Sequence, residues 1–149
     1  MAHVSLSATV TGRDLIRPFR ARYGDSRLEL IVRLLPSTAY MVAIHLASSI
    51  HGGDLPPIAV DDRLAHFVIY FGLAITLMFS AAAFAREQTS PRHYAGAGAI
   101  AVTYGAVDEL HQRFVPGRTP QLSDLAFDAL GAACALVLLY ILVEGSRNR

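Results

Sequence analysis

The chain has 149 residues, of which 53% are hydrophobic and only 17% charged, against about 25% charged in a typical soluble domain. A balance this apolar excludes an ordinary soluble domain and points to a membrane. The formal net charge is only +1, so the placement of charge matters more than its total, and the lone Cys134 excludes an intramolecular disulfide.

Residues 1–12 are small and polar and are expected to be disordered. Residues 13–33 hold Arg13, Arg17, Arg20, Arg22, Arg27 and Arg33, with Pro18 and Gly24 interrupting any long helix. This basic segment, 1–33, reads as a cytoplasmic topology signal, either disordered or lying on the membrane surface as short amphipathic pieces. No aromatic platform or binding motif accompanies it, so no nucleic acid is expected as a partner. No apolar core of signal-peptide length precedes Leu34, and the first apolar segment reads as a retained anchor.

Residues 34–50 form the first expected span, with Pro36, Tyr40 and His45 inside it; His45 reads as a residue packed between helices. The Gly-Gly and Pro-Pro pairs mark 51–61 as a loop. Residues 64–85 make a second span, long enough to cross ~30 Å of hydrocarbon. A short charged loop, 86–93, follows. The run 94–107 is rich in Gly and Ala, which suits close helix contact. It is only 14 residues long, so to cross a bilayer the helix must continue through Asp108 to about His111. Val115-Pro116-Gly117-Arg118 fits a type II turn, with Pro at the second position and Gly at the third. Thr119-Pro120 reads as an N-cap and first helical residue, the last span as 121–143, and 144–149 as a polar tail. The expected fold is an all-α membrane protein: a bundle of four transmembrane helices over 34–143, with an Arg-rich cytoplasmic segment before it.

Four spans put both termini on one side. All 13 basic residues are Arg. The side of the termini takes the six N-terminal ones with Arg86, Arg92, Arg147 and Arg149; the other side takes only Arg63, Arg113 and Arg118. The positive-inside rule then places both termini in the cytoplasm, in a bacterial inner membrane. On the outer side, helical spacing of four puts Asp62, His66 and Tyr70 on one face. Tyr104 and Asp108 share a face with His111 or Gln112, and Glu109 points about 100° away. Asp124, Asp128 and Gly131 share a third face. A carboxylate facing lipid at such depth costs at least ~2.5 kcal/mol, so these groups are expected to face the bundle interior, with Arg63, Arg113 and Arg118 as the available cations.

Asp62-Arg63-Leu64-Ala65-His66-Phe67-Val68-Ile69-Tyr70, the run from Tyr104-Gly105 through Asp108-Glu109, His111-Gln112 and Phe114 to Pro116-Gly117-Arg118, and then Asp124 and Gly131 resemble the motifs of VanZ-like membrane proteins. The resemblance covers about 34–143. Arg63 stands where Lys is common, and Asp128 stands where Asn is common, which adds a buried acid. The family is named for low-level resistance to the glycopeptide teicoplanin. The resemblance implies a multi-pass membrane protein of the cell envelope.

Three functions compete. The first is a site for an anionic envelope lipid or glycopeptide-related ligand among membrane lipids. Arg63 and Arg118 would hold phosphate with Arg113, and Asp62, Tyr70, Tyr104, Gln112, Asp124 and Asp128 would line the site. Glu109, His111, Asp108 and His66 are the candidates for acid–base work. No metal or cofactor is assigned in this reading. The second is an intramembrane metal-assisted hydrolase using His66, His111, Asp62, Asp108 and Glu109, although no compact motif such as H-E-x-x-H occurs. The third is a non-catalytic protein whose polar cluster fixes helix register or meets a partner. A channel or transporter is disfavoured because the polar groups gather at one end.

Overall fold

The computed structural model describes residues 27–54, 61–85 and 89–147. Among these, four long helices hold most of the described residues: α1 (Arg27–Ser48), α2 (Asp62–Phe84), α3 (Pro91–Gln112) and α4 (Leu122–Arg147). A 3-10 turn, Gly52–Asp54, follows α1. The all-helical expectation holds. Stretches of α1, α2 and α4 (Leu30–Ser48, Asp62–Phe84 and Leu122–Val143) are long and apolar enough to cross a membrane. The α3 helix is not among them; it is rich in Ala and Gly and carries Asp108 and Glu109. The expectations for residues 1–26, for Pro56 and Pro57, for Arg86 and for 148–149 lie outside the described residues.

Two boundaries differ from the sequence reading. The first helix begins at Arg27 rather than 34, so Arg27 and Arg33 belong to it, and Pro36 lies inside it without ending it. At the other end of the chain, Thr119-Pro120 does not start the last helix, which begins at Leu122. The reason is a cap supplied from elsewhere: the Gln121 N–H donates to a Glu109 carboxylate oxygen of α3 at 3.0 Å. That oxygen satisfies one of the orphan donors at a helix start, and no local Thr is needed.

The helices alternate in direction. The start of α1 fastens to the end of α2, where Ser80 Oγ donates to the Arg33 carbonyl (2.8 Å) and meets Ser37 Oγ (3.0 Å). At the same end, Tyr94 of α3 meets Tyr140 of α4 edge to face, 5.4 Å between ring centroids. The α2 helix is the hub. It packs against all three others, most extensively against α4, whereas α1 does not pack on α4. The apolar core joins Leu73, Ala74 and Leu77 of α2 to Ala97 and Ala101 of α3, Ala132 and Ala135 of α4, and Ile44 of α1. Small residues allow this closeness: a Cβ on Gly131 of α4 would run into the Phe67 carbonyl oxygen of α2. Large apolar side chains such as Leu35, Leu46, Val68, Val107, Leu138 and Leu142 point outward. In water they would form an aggregation-prone surface, and in lipid they are solvated.

Candidate functional site

One turn sets the geometry of the polar end. The Arg118 N–H donates to the Val115 carbonyl (3.2 Å), and Gly117 has φ +75°, as a type II turn requires at its third position. The Gly52 N–H donates to the Pro116 carbonyl (3.1 Å), so this turn lies directly on Gly52–Asp54. Backbone meets backbone there, and a Cβ on Gly52 would overlap Gly117. The link between α3 and α4 is thereby fixed against the end of α1.

Below the turn, α2, α3 and α4 bring their acids together. Asp108, Glu109, Asp124 and Asp128 are only 5%, 9%, 3% and 0% exposed. His66 Nδ1 lies 2.9 Å from Asp128 Oδ1. Gln112 Nε2 donates to Asp108 Oδ2 at 3.2 Å. A ring nitrogen of His66 and carboxylate oxygens of Glu109 and Asp128 all lie within 4.8 Å of one another; Asp62, His66 and Asp124 form a second such group toward the surface. Tyr70, 1% exposed, stacks parallel to His66 with 6.5 Å between centroids. Asp128 also presses on the backbone of α3, where a Cβ at Gly105 would sit 2.7 Å from Oδ2.

Four buried polar atoms in this cluster have no hydrogen-bond partner: Tyr70 Oη, Asp108 Oδ1, Glu109 Oε1 and Asp128 Oδ2. Leaving such an atom unsatisfied costs about 1–3 kcal/mol, more when it is charged. Among the described residues no guanidinium pairs with these carboxylates; the ion pair found there is His66 with Asp128.

The expected constellation therefore divides. His66, Tyr70, Asp108, Glu109, Gln112, Asp124 and Asp128 gather between α2, α3 and α4, and Asp62 stands exposed at their rim. His111 leaves them: its Nε2 is 3.0 Å from Ser49 Oγ, and its ring lies 4.4 Å from that of His45, both at the end of α1. His45, expected between helices, is exposed, and its ring meets only that of His111 among the ring contacts of the described residues. Tyr104 also turns to α1, donating from its hydroxyl to the Met41 carbonyl (2.6 Å). Arg118 donates from Nε to the Ile50 carbonyl and from Nη2 to the Ala47 carbonyl, both at 3.2 Å, and so caps the end of α1. Arg63 and Arg113 are exposed.

Two participants, Ser49 and Gln121, escaped the sequence reading. The Ser49 hydroxyl also lies 2.7 Å from the His45 carbonyl, to which it donates. Its one proton is thus directed away from His111, which does not suit a nucleophile and base. Gln121 takes part through its backbone N–H, which no side-chain pattern reveals. An apolar hollow lined by Pro91, Tyr94, Leu136, Val137 and Tyr140 lies at the opposite end of the helices. The acid cluster is a packed seam between helices, distinct from that hollow.

A family model described as VanZ/LLP1 matches residues 18–143, so the likeness begins inside the Arg-rich segment rather than at about 34. No curated protein and no solved structure matches the chain.

Proposed function

The chain belongs to the VanZ/LLP1 family, and from that premise we propose that it is a four-span protein of the bacterial cytoplasmic membrane whose polar end engages an anionic cell-envelope lipid or a glycopeptide-related ligand. Both termini lie in the cytoplasm, and the cluster sits at the outer-leaflet end of the bundle with Asp62 exposed at its rim. The observation that carries this reading is the set of partnerless buried oxygens on Tyr70, Asp108, Glu109 and Asp128. A head group or glycopeptide rich in hydroxyl, amide or ammonium donors meets that demand. The exposed Arg63 and Arg113 are free to meet phosphate at the rim. The role is of the resistance type: retention or shielding of an envelope component that a glycopeptide attacks.

The experiment expresses the protein in a teicoplanin-susceptible host and compares wild type with Asp108→Asn and Glu109→Gln at matched membrane levels. Loss of the protection given by wild type, at normal protein level, supports the ligand site. Undiminished protection from both variants counts against it.

A second reading has specific support. His66 with Asp128, and Glu109 with the Gln121 N–H, tie three helices together, so the cluster could serve to fix helix register alone. In that case the same variants lower protein level and protection in proportion.

A further inference from the structure

We propose that His66, Glu109 and Asp128 form a binding site for a divalent transition-metal ion, Zn2+ or Mn2+, between α2, α3 and α4. An ion there would take up the unpaired oxygens of Glu109 and Asp128 that the ligand reading also invokes, and it does not depend on that reading.

The donors come from three different helices and converge. One imidazole nitrogen and two carboxylate oxygens lie within 4.8 Å of one another. Ligands held ~2.0–2.2 Å from a tetrahedral ion stand ~3.5 Å apart, so His66 Nδ1 and Asp128 Oδ1, 2.9 Å apart, open slightly to admit one. The second observation concerns the oxygens themselves. Glu109 uses Oε2 on the Gln121 N–H and leaves Oε1 bare; Asp128 uses Oδ1 on His66 and leaves Oδ2 bare. Both bare atoms are buried, in residues 9% and 0% exposed. Each carboxylate thus keeps one buried acceptor unpaired, and an ion taken up between His66, Glu109 and Asp128 would supply the positive charge that these acids lack.

Charge points the same way. No guanidinium pairs with the buried acids among the described residues, and His66 alone faces Glu109, Asp124 and Asp128. A divalent ion compensates two carboxylates at a depth where an uncompensated one costs at least ~2.5 kcal/mol. The donor set selects the class of ion. One nitrogen with hard oxygens suits Zn2+ or Mn2+, and the lack of thiolate disfavours Cu(I). The access route is also present. Asp62, His66 and Asp124 form an outer group sharing His66 with the inner one, and Asp62 is exposed, so an ion can pass from rim to seam by exchanging one carboxylate for another.

The test uses the full chain, purified in detergent without a polyhistidine tag, stripped with chelator and titrated separately with Zn2+ and Mn2+. Bound metal and the thermal unfolding midpoint are both read. The expected result is about one ion per chain, with a midpoint that rises with ion concentration, since a ligand that binds only the folded state stabilises it. His66→Asn, Glu109→Gln and Asp128→Asn should each weaken binding by more than about tenfold, the smallest loss seen when even outer partners of a metal are removed. His111→Gln should keep it, because the His111 side chain turns to Ser49 and His45 at the end of α1. Should the three variants fail to fold, electron spin echo spectroscopy of Mn2+ on the wild-type protein decides, and coupling to a single imidazole nitrogen is expected. Absence of stoichiometric binding of both ions overturns the proposal. So does loss of binding that follows His111 instead of His66, or a Mn2+ signal with no nitrogen coupling.

Discussion

Gly117 and Arg118 do different work in one turn. The positive φ of Gly117 is open to glycine at little cost, and Gly117→Ala should lower stability by about 1–2 kcal/mol, measured as the unfolding midpoint in detergent. Arg118 is half-exposed and holds the last carbonyls of α1. Arg118→Ala should therefore cost about 1 kcal/mol, the usual worth of such bonds, with faster proteolysis near Ile50 as a second readout; Arg118→Lys should recover only part, since an ammonium lacks the fork that spans two carbonyls. At this scale the sequence was informative about faces and silent about partners. Spacing of four correctly aligned Asp62, His66 and Tyr70, and Asp124 with Asp128. It left His111 and Gln112 as equals, because both lie within reach of Asp108 along the helix. The choice was made by α1, which offers Ser49 and His45 to His111 and leaves Gln112 to bond Asp108.

Between elements, the closest approach is that of α2 and α4, and glycine permits it. Gly131→Leu should force the two helices apart, because even its Cβ meets the Phe67 carbonyl. The expected outcome is loss of folded protein, read as a collapsed monodisperse peak in size-exclusion chromatography. Gly96 lies in the same kind of helix with open space around it, and Gly96→Ala should stabilise by about 0.5–1 kcal/mol through helix propensity alone. The pair separates packing from propensity. The extent of each helix was largely readable from apolar runs and from Gly and Pro. The start of α4 was not, because Thr119-Pro120 is a good local start signal and the cap came from Glu109, twelve residues earlier in the chain and on another helix. Local chemistry ranks starting points, and a tertiary partner can overrule it.

For the molecule as a whole, the open question is how many times it crosses. Three helices qualify by length and hydropathy, and α3 carries buried acids in their stead. With Cys134 replaced by Ala, single cysteines at Gly53 and Gly145, both exposed, report the answer. Four crossings predict that an impermeant maleimide labels Gly53→Cys on intact cells and Gly145→Cys only after lysis. Labelling of both on intact cells means that α3 stays on one side, which would sink the four-span topology. The four-span topology is an expectation of the sequence alone, since it depends on Arg counts on either side of apolar runs and on no contact.

Because α1 shares no surface with α4, and because Asp124 and Asp128 ride on the last helix, the order of synthesis matters. The helix that leaves the ribosome first has no neighbour until α2 follows it. His66 and Glu109 then wait for the acid and the backbone N–H that only the final segment delivers. A chain stalled before Leu122 would hold His66 and Glu109 without the partners that α4 and its N-cap supply.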